Sequence, residues 1–214
     1  MTQALRIGIL GTANIARSFV RAVQQSQRVS ITAVASRDAR KAETFAQETG
    51  IARHFGSYED LLADRAIDAV YNPLPNSLHA AWSIAAVRAG KHVLCEKPLA
   101  AGAAEARSMF EAARLHGVHL VEAYPYLAQP QTLKLRELLK DGAIGDVRLI
   151  QASFGFTIND SGNIRLNPQL AGGALMDAGV YPLSLIRIIA GRRAAPVQAA
   201  ARWTQAGQDR KSVV

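Results

Sequence analysis

The segment Glu96-Lys97-Pro98 could carry chemistry, because it places an acid and an amine directly after an apolar run, Val93–Cys95. Such a run predicts a short buried strand. In an open α/β sheet, ligands bind at the carboxyl ends of the strands. Proline fixes its own φ and biases the preceding residue toward an extended backbone, so Lys97 would be held in place. The alternative is a surface salt bridge beside a turn proline.

A second candidate follows the first predicted strand, Leu5–Leu10, where residues 11–16 read G-T-A-N-I-A. This is the place of the G-x-G-x-x-G/A turn in a dinucleotide-binding unit, with alanine at the second glycine position. The first glycine makes the tight turn, and the following helix presents free N–H groups and its positive dipole end to a pyrophosphate. We therefore predict cofactor contacts at Gly11, Thr12, Ala13, Asn14 and Ile15.

The end of the second predicted strand, Val29–Ala35, bears on which dinucleotide binds. It continues as Ser36-Arg37-Asp38. A hydroxyl and a guanidinium suit a 2′-phosphate better than a free diol. Asp38 lies one residue beyond the acid that binds the ribose in NAD-preferring units, and it is predicted to start a helix over 38–49 instead. The residues favour NADP over NAD.

A stiff loop, Pro73-Leu74-Pro75, follows the predicted strand Ile67–Tyr71 and precedes a predicted helix over 77–89. It would lie at the same sheet edge as the two candidates above. His79 falls in the first turn of this helix, where a capping or packing role is the alternative to a functional one.

The rhythm of strands and helices predicts an α/β fold, with a doubly wound parallel Rossmann sheet for dinucleotide binding over 1–123. Residues 124–214 are predicted to form an α+β domain for substrate binding and dimerisation, with an open, mostly antiparallel and incomplete sheet. Its predicted elements are a helix over 131–140, an alternating strand over 147–158, an apolar helix over 174–190 and a strand over 196–204. Asp177 and Tyr181 are four residues apart on the apolar helix and share one of its faces.

Composition narrows the class of protein. The 214 residues carry a net charge of +8, but the basic residues are spread along the chain without interleaved aromatics, so we expect no nucleic-acid partner. One cysteine excludes an internal disulfide, and we expect no metal. No run approaches the roughly 20 apolar residues of a membrane span, and the N-terminus lacks a signal sequence. We expect a cytoplasmic protein without a membrane partner.

Three motifs in order resemble the Gfo/Idh/MocA oxidoreductases: G-T-A-N-I-A at 11–16, E-K-P at 96–98 and G-G-A-L-M-D-A-G-V-Y at 172–181. The chain is most similar to the branch of glucose–fructose oxidoreductase and the dihydrodiol and sugar dehydrogenases. The resemblance covers essentially the whole chain, which is shorter than family members, so we expect it to lack their later strands.

The resemblance implies that Lys97 contacts the nicotinamide ribose and a substrate hydroxyl, and that Asp177 and Tyr181 face the nicotinamide. Contacts to a 2′-phosphate are implied for Ser36, Arg37 and Lys41. Further cofactor contacts are implied for Pro73, Leu74, Asn76, His79 and Glu96.

The function expected from these residues is NADP-dependent hydride transfer to or from a hydroxyl or carbonyl carbon of a sugar, polyol or diol. Tyr181 would be the general acid/base, and Lys97 would lower the pKa of a neighbouring phenol. The alternatives are a capping or buried ion-pair role for Asp177 and core packing for Tyr181.

The alternative function is a catalytically silent NADP-binding regulatory protein, or an inactive fragment of such an enzyme. Pro125, Leu127 and Gln129 stand where family members often carry Met, Arg and His, which suits that alternative. The partner expected otherwise is a small-molecule substrate, with a homo-oligomer formed if the full C-terminal sheet is present.

Overall fold

The computed structural model describes residues 4–160, 162–191 and 198–214. The chain divides into two compact units, with the division between Ala123 and Tyr124. In the first unit strands alternate with helices, in this order: β1 (Leu5–Leu10), α1 (Asn14–Val23), β2 (Val29–Ala35), α2 (Ala39–Thr49), β3 (Arg53–Phe55), α3 (Tyr58–Ala63), β4 (Ala69–Asn72), α4 (Asn76–Arg88), β5 (His92–Glu96), α5 (Ala103–His116) and β6 (Leu120–Ala123).

The first unit is built on a six-stranded sheet with the order β3-β2-β1-β4-β5-β6. Neighbouring strands in it are parallel, so the doubly wound fold predicted from the sequence is confirmed. The order reverses between β1 and β4, and such a switch point is where open α/β sheets bind ligands. The turns after β1, β4 and β5 begin at this edge, which is therefore where the candidate residues must be sought.

Two apolar layers cover the two faces of this sheet. Successive strand residues point to opposite faces, so Ile9 packs in one layer and Leu10 in the other. One layer includes Phe45 of α2, and the other includes Met109 of α5. Burying each such side chain contributes about 1.5–3 kcal/mol, which fixes the strands and the turns that follow them.

Two helix starts in the first unit are capped by side chains. The Asp38 carboxylate accepts from the backbone N–H groups of Arg40 and Lys41 and caps α2, as predicted. The Ser57 hydroxyl accepts from Asp60 N at 3.1 Å and caps α3. Strand β3 was not predicted, because three residues between two helices carry too little alternation to be recognised.

The second unit is mostly helical and irregular. Its elements are 3₁₀ turns at Pro125–Ala128, Ile164–Leu166 and Pro168–Leu170, a π-helical segment at Leu175–Gly179, the helices α6 (Pro130–Lys140) and α7 (Val180–Ala190), and the antiparallel strands β7 (Ala200–Trp203) and β8 (Asp209–Val213). Strand β8 was not predicted. The strand predicted over 196–204 is shorter than expected, and residues 196 and 197 lie outside the described ones.

The long strand predicted over 147–158 is wrong. These residues have no regular secondary structure, and most of them are exposed. The alternation of side chains is present in the sequence, but a strand also needs a hydrogen-bonded neighbour. Within the described residues, the strand pairing of this unit joins β7 to β8.

One stretch of the described residues, Pro168–Ala190, is long and apolar enough by composition to cross a membrane, with a mean hydropathy of 1.3. This differs from the expectation of no such run. The backbone turns at Ala171 and Gly173, where φ is 53° and 111°. Regular α-helix therefore begins only at Val180, and α7 rises about 16 Å at about 1.5 Å per residue.

Candidate active site

The turn after β1 has the backbone geometry of a dinucleotide-binding turn. Gly11 has φ 88°, and its N–H donates to Ala35 O at 2.7 Å. A Cβ at this position would lie 2.9 Å from the Leu74 side chain, so the close approach requires glycine. Thr12 and Ala13 lead into α1, which starts without a side-chain cap. Its first N–H groups are therefore available to an anion.

Cationic side chains lie exposed at the end of β2. Ser36 is buried, and its hydroxyl accepts from Asp38 N at 3.2 Å. Arg37 is exposed, and the Lys41 side chain is 72% exposed with its amine 4.0 Å from Asp38. Because the Asp38 carboxylate is engaged at the start of α2, it is not oriented as a ribose ligand. The arrangement suits a phosphate group better than a diol.

Tyr58 is a residue of this region that the sequence reading missed. The residue is 4% exposed, and its ring packs edge-on against Trp82, with 4.7 Å between ring centroids. A Cβ placed on Gly11 would lie 3.7 Å from its hydroxyl. Burial raises the pKa of Tyr58, and the nearby Arg37 guanidinium opposes that rise. The phenol is therefore close to both the dinucleotide turn and Arg37.

The loop after β4 is fixed by a buried amide. Asn72 has no exposed surface, and its side chain donates to His79 O at 3.3 Å and to Ser83 Oγ at 3.0 Å. Its Oδ1 accepts from Leu74 N at 3.3 Å. Leu74 and the preceding proline are buried, whereas Asn76 is partly exposed at the start of α4. These hydrogen bonds therefore fix the conformation of the loop.

His79 is fully buried, so the structure does not agree with a direct cofactor contact by its side chain. Its Nδ1 lies 2.8 Å from Pro98 O and its Nε2 lies 2.7 Å from Leu74 O. A neutral imidazole donates only one hydrogen bond, and burial lowers the pKa of His79. The packing alternative describes this residue, since the ring joins the loop after β4 to the turn after β5.

Lys97 lies in a turn whose adjacent residues, Glu96 and Leu99, are fixed by hydrogen bonds. The Glu96 carboxylate accepts from Tyr71 Oη at 2.6 Å and from Lys97 N at 3.3 Å. The Lys97-Pro98 peptide bond is cis. Leu99 N donates to Glu122 Oε1 at 2.7 Å. The lysine itself is partly buried at the carboxyl edge of the sheet, as the sequence predicts.

In the second unit Asp177 forms an ion pair. Its Oδ2 accepts from Arg165 Nε at 2.7 Å, and its side chain is 13% exposed. The Arg165 guanidinium also lies 5.7 Å from the centroid of the Phe156 ring. The ion-pair alternative for Asp177 is therefore the arrangement observed. Asp177 belongs to the π-helical segment, and such segments are frequent at functional sites.

Tyr181 lies within an aromatic cluster of the second unit. Its ring centroid is 5.5 Å from that of Tyr124 and 5.5 Å from that of Phe154. Tyr126 joins the cluster, and its hydroxyl donates to Ser184 Oγ at 2.7 Å. These aromatic neighbours were not identified from the sequence, because they lie up to 57 positions from Tyr181 along the chain.

The two glycines before this helix allow close contacts that position it. A Cβ on Gly172 would fall on the carbonyl of Arg165, and one on Gly173 would fall on the carboxylate of Asp209. Asp209, which the sequence reading also missed, accepts from Leu175 N at 2.6 Å. A carboxylate at a helix start is favourable to the helix dipole, so β8 stabilises the segment that carries Asp177.

The described residues contain no group of three side chains able to hold a metal ion. The donors that are present suit an anionic dinucleotide instead, since a glycine turn, an uncapped helix start and two exposed cations lie at one sheet edge. This fold and edge define the Rossmann class of dinucleotide-binding domains.

The family model for the oxidoreductase family with an NAD-binding Rossmann fold, Gfo/Idh/MocA, matches residues 5–124. The model for the C-terminal domain of the same family matches residues 132–213. This protein belongs to the Gfo/Idh/MocA oxidoreductase family.

Similar proteins include D-xylose 1-dehydrogenase (NADP(+)) 2 of Haloferax volcanii, with 46% identity over 87% of this chain and 58% of the relative. The dTDP-3,4-didehydro-2,6-dideoxy-α-D-glucose 3-reductase of Streptomyces violaceoruber is 46% identical over 88% of this chain and 55% of its own. The crystal structure of KijD10, a 3-ketoreductase from Actinomadura kijaniata in complex with NADP and TDP-benzene, has a TM-score of 0.93 and 36% identity. The match covers 98% of this chain and 65% of the KijD10 chain. This chain therefore spans less than two thirds of the length of each of the three similar proteins.

Proposed function

We propose that this protein is an NADP-dependent oxidoreductase acting on a CH–OH or carbonyl carbon of a sugar, polyol or diol. The observation that carries the proposal is the carboxyl edge of the six-stranded sheet. There the Gly11 turn, the exposed Arg37 and the Lys97 turn follow β1, β2 and β5. The similarity to an NADP(+)-dependent xylose dehydrogenase supports the choice of cofactor.

Cofactor binding is assigned to the turn after β1 and the end of β2. The pyrophosphate would be held by the N–H groups at the start of α1, near Gly11. Arg37 and Lys41 would bind the 2′-phosphate, with Ser36 fixing the turn between them. The rigid loop Pro73–Asn76 would line the cofactor, and its buried Asn72 would prevent it from moving away.

NADP, when bound, supplies the hydride chemistry, and the chain supplies binding and proton handling. Lys97 would donate hydrogen bonds to the nicotinamide ribose and to the substrate oxygen. In the second unit, Tyr181 is proposed as the general acid/base, because a phenol can exchange a proton with a substrate hydroxyl. Asp177, paired with Arg165, lies one helical turn before Tyr181 and would help to orient it.

The class of substrate is inferred from the substrates named for similar proteins. Two relatives are named for sugars, a free pentose in one case and a dTDP-linked deoxysugar in the other. A hydroxyl-rich ring needs several hydrogen-bonding partners beside the reacting carbon. We expect a sugar or sugar-like substrate, and a homo-oligomeric, cytoplasmic enzyme remains a prediction.

The first experiment is titration of the protein with NADPH and with NADH, followed by nicotinamide fluorescence. The expected result is tight binding that prefers NADPH. Protein that binds would then be assayed with D-xylose, other aldoses, polyols and diols, by the change in absorbance of the nicotinamide. Binding without any turnover would favour the catalytically silent alternative, and no binding of either dinucleotide would overturn the proposal.

A further inference from the structure

The peptide unit that follows Lys97-Pro98 is held at both of its polar atoms. Its C=O, from Pro98, lies 2.8 Å from His79 Nδ1. Its N–H, from Leu99, donates to Glu122 Oε1 at 2.7 Å. Both distances are within hydrogen-bonding range, and the contact at the C=O is a hydrogen bond in the tautomer that carries its proton on Nδ1. The two side chains therefore hold one peptide plane from opposite ends.

Glu122 reaches this peptide from the neighbouring strand. It lies in β6, where it is the partner of Cys95 in β5. The residue is partly buried, and burial raises the pKa of Glu122, while the hydrogen bond from Leu99 lowers it. A carboxyl group loses hydration at such a position, which costs free energy. The hydrogen bond from Leu99 N offsets part of that cost.

The contact has a consequence for Lys97. A peptide plane held only at its C=O can still rotate about the two adjoining backbone bonds, whereas one held at both atoms cannot. Rotation there would redirect the chain at Pro98 and displace the amine of Lys97. A displacement of about 1 Å in a catalytic group can cost about 10²-fold in rate.

We propose that Glu122 is a positioning residue for Lys97, which it orients by fixing the Pro98–Leu99 peptide plane. The proposal rests on the proposed function, since it takes Lys97 as the group that contacts the substrate. Glu122 itself touches neither cofactor nor substrate in this role. What it supplies is a hydrogen-bond acceptor at a fixed distance from Leu99 N.

The test compares three substitutions of Glu122. Glu122→Gln keeps an oxygen acceptor at the same length, Glu122→Leu keeps the size without an acceptor, and Glu122→Asp withdraws the acceptor by about one C–C bond. We expect kcat to fall about 10–100-fold in the Leu and Asp variants, with KM and the NADPH Kd within about threefold of wild type. The Gln variant is expected to retain kcat within about threefold.

A residue that only stabilised the fold would lower the free energy of unfolding and leave the kcat of folded enzyme unchanged. Wild-type kcat in a folded Leu or Asp variant would therefore overturn the proposal, as would equal losses in the Gln and Leu variants. Should the Leu variant fail to fold, the comparison of Gln with Asp decides.

Hydrogen exchange separates failure of this proposal from failure of the proposed function. The Leu99 amide is expected to exchange at least about tenfold faster in the Asp variant than in the Gln variant, whether or not any substrate is turned over. Equal exchange in the two variants would remove the contact on which the proposal depends. Absence of turnover in the wild type, with the exchange difference present, would count against the proposed function alone.

Discussion

The two edges of the six-stranded sheet use their polar side chains differently. At the amino edge charged groups satisfy one another: Arg6 pairs with Asp68 at 2.6 Å, and the Lys91 amine donates to the carbonyls of Asp64 and Ile67 at 2.7 and 2.8 Å. At the carboxyl edge, buried side chains such as Asn72 hold the backbone of the loops instead. Polar groups at the amino edge therefore satisfy one another, whereas those at the carboxyl edge fix the conformation of the loops.

The comparison teaches that burial of a polar group does not by itself indicate function. Lys91 is 7% exposed, and burial lowers its pKa. Its amine nevertheless has a structural role, because it donates hydrogen bonds to two carbonyl groups of its own unit. Lys97 lies at the carboxyl edge, where we propose the cofactor site, in a turn fixed by hydrogen bonds of its neighbours. Substitutions at the two edges should therefore separate stability from activity.

The largest effect is expected at Lys97. Replacing it with alanine should reduce turnover by at least about 10³-fold, because a group that contacts the reacting oxygen is lost. NADPH affinity should stay within about tenfold, and thermal unfolding should be unchanged. Steady-state kinetics and a fluorescence titration on the same preparation would measure both. Turnover near the wild-type rate would contradict the role given to Lys97.

A smaller and selective effect is expected at the end of β2. Arg37→Ala should weaken NADPH binding about 10–100-fold, because a charge-assisted hydrogen bond contributes about 1.5–3 kcal/mol. NADH binding should be unchanged, since NADH lacks the 2′-phosphate. Arg40→Ala, on the first turn of α2, is the matched control. Equal losses of both dinucleotides in Arg37→Ala would refute a 2′-phosphate contact.

Lys91 at the amino edge should behave in the opposite way. Lys91→Met keeps the length of the side chain but leaves two carbonyl groups without their donor. We expect the free energy of unfolding to fall by about 1–3 kcal/mol, with kcat per folded molecule unchanged. Urea denaturation would measure the loss, and the exposed Lys134 gives a control substitution. A change in kcat without a change in the free energy of unfolding would contradict the structural role given to Lys91.

The smallest effect is expected for the ion pair of the amino edge, and it depends on pH. Arg6 lowers the pKa of Asp68 from 3.8 to about 2. A folded-state pKa below the unfolded one means that the ionised carboxylate stabilises the fold above about pH 4, and that this is lost as the pH falls through about 2.

The Asp68 side chain is 34% exposed, so solvent screening reduces its contribution to about 1 kcal/mol. Asp68→Asn should lower the free energy of unfolding by that amount at pH 7, and the difference from wild type should shrink between pH 4 and pH 2. Denaturation curves across this range test the prediction, which a pH-independent difference would contradict.

The fold of the first unit could be predicted because its signals are local. The glycine turn at Gly11, the cap at Asp38, and the apolar runs of the parallel strands each lie within a few residues. The strand predicted over 147–158 is wrong for the opposite reason. The alternation of its side chains is a local signal, but a strand also needs a neighbouring strand, which is distant in the sequence.

The candidate site was predictable only in part. Gly11 and Lys97 stand out by spacing, whereas Glu122 and Asn72 act on backbone atoms that no sequence pattern marks as their partners. His79 was recognised as a residue of interest, but its burial could not be read from its position in a helix. Contacts between side chains and distant main-chain groups need coordinates to be seen.

Cys95, beneath the Lys97 turn, has a practical consequence. It is the one cysteine of the sequence and has no exposed surface, and burial raises the pKa of its thiol to about 12. Thiol reagents attack the thiolate, so at neutral pH this group should stay unmodified while the protein is folded. A cysteine introduced on the surface would then be the one thiol that reacts with a fluorophore, because Cys95 would not react. The native chain is in this sense ready for site-specific labelling, and slow reaction of Cys95 would record global unfolding.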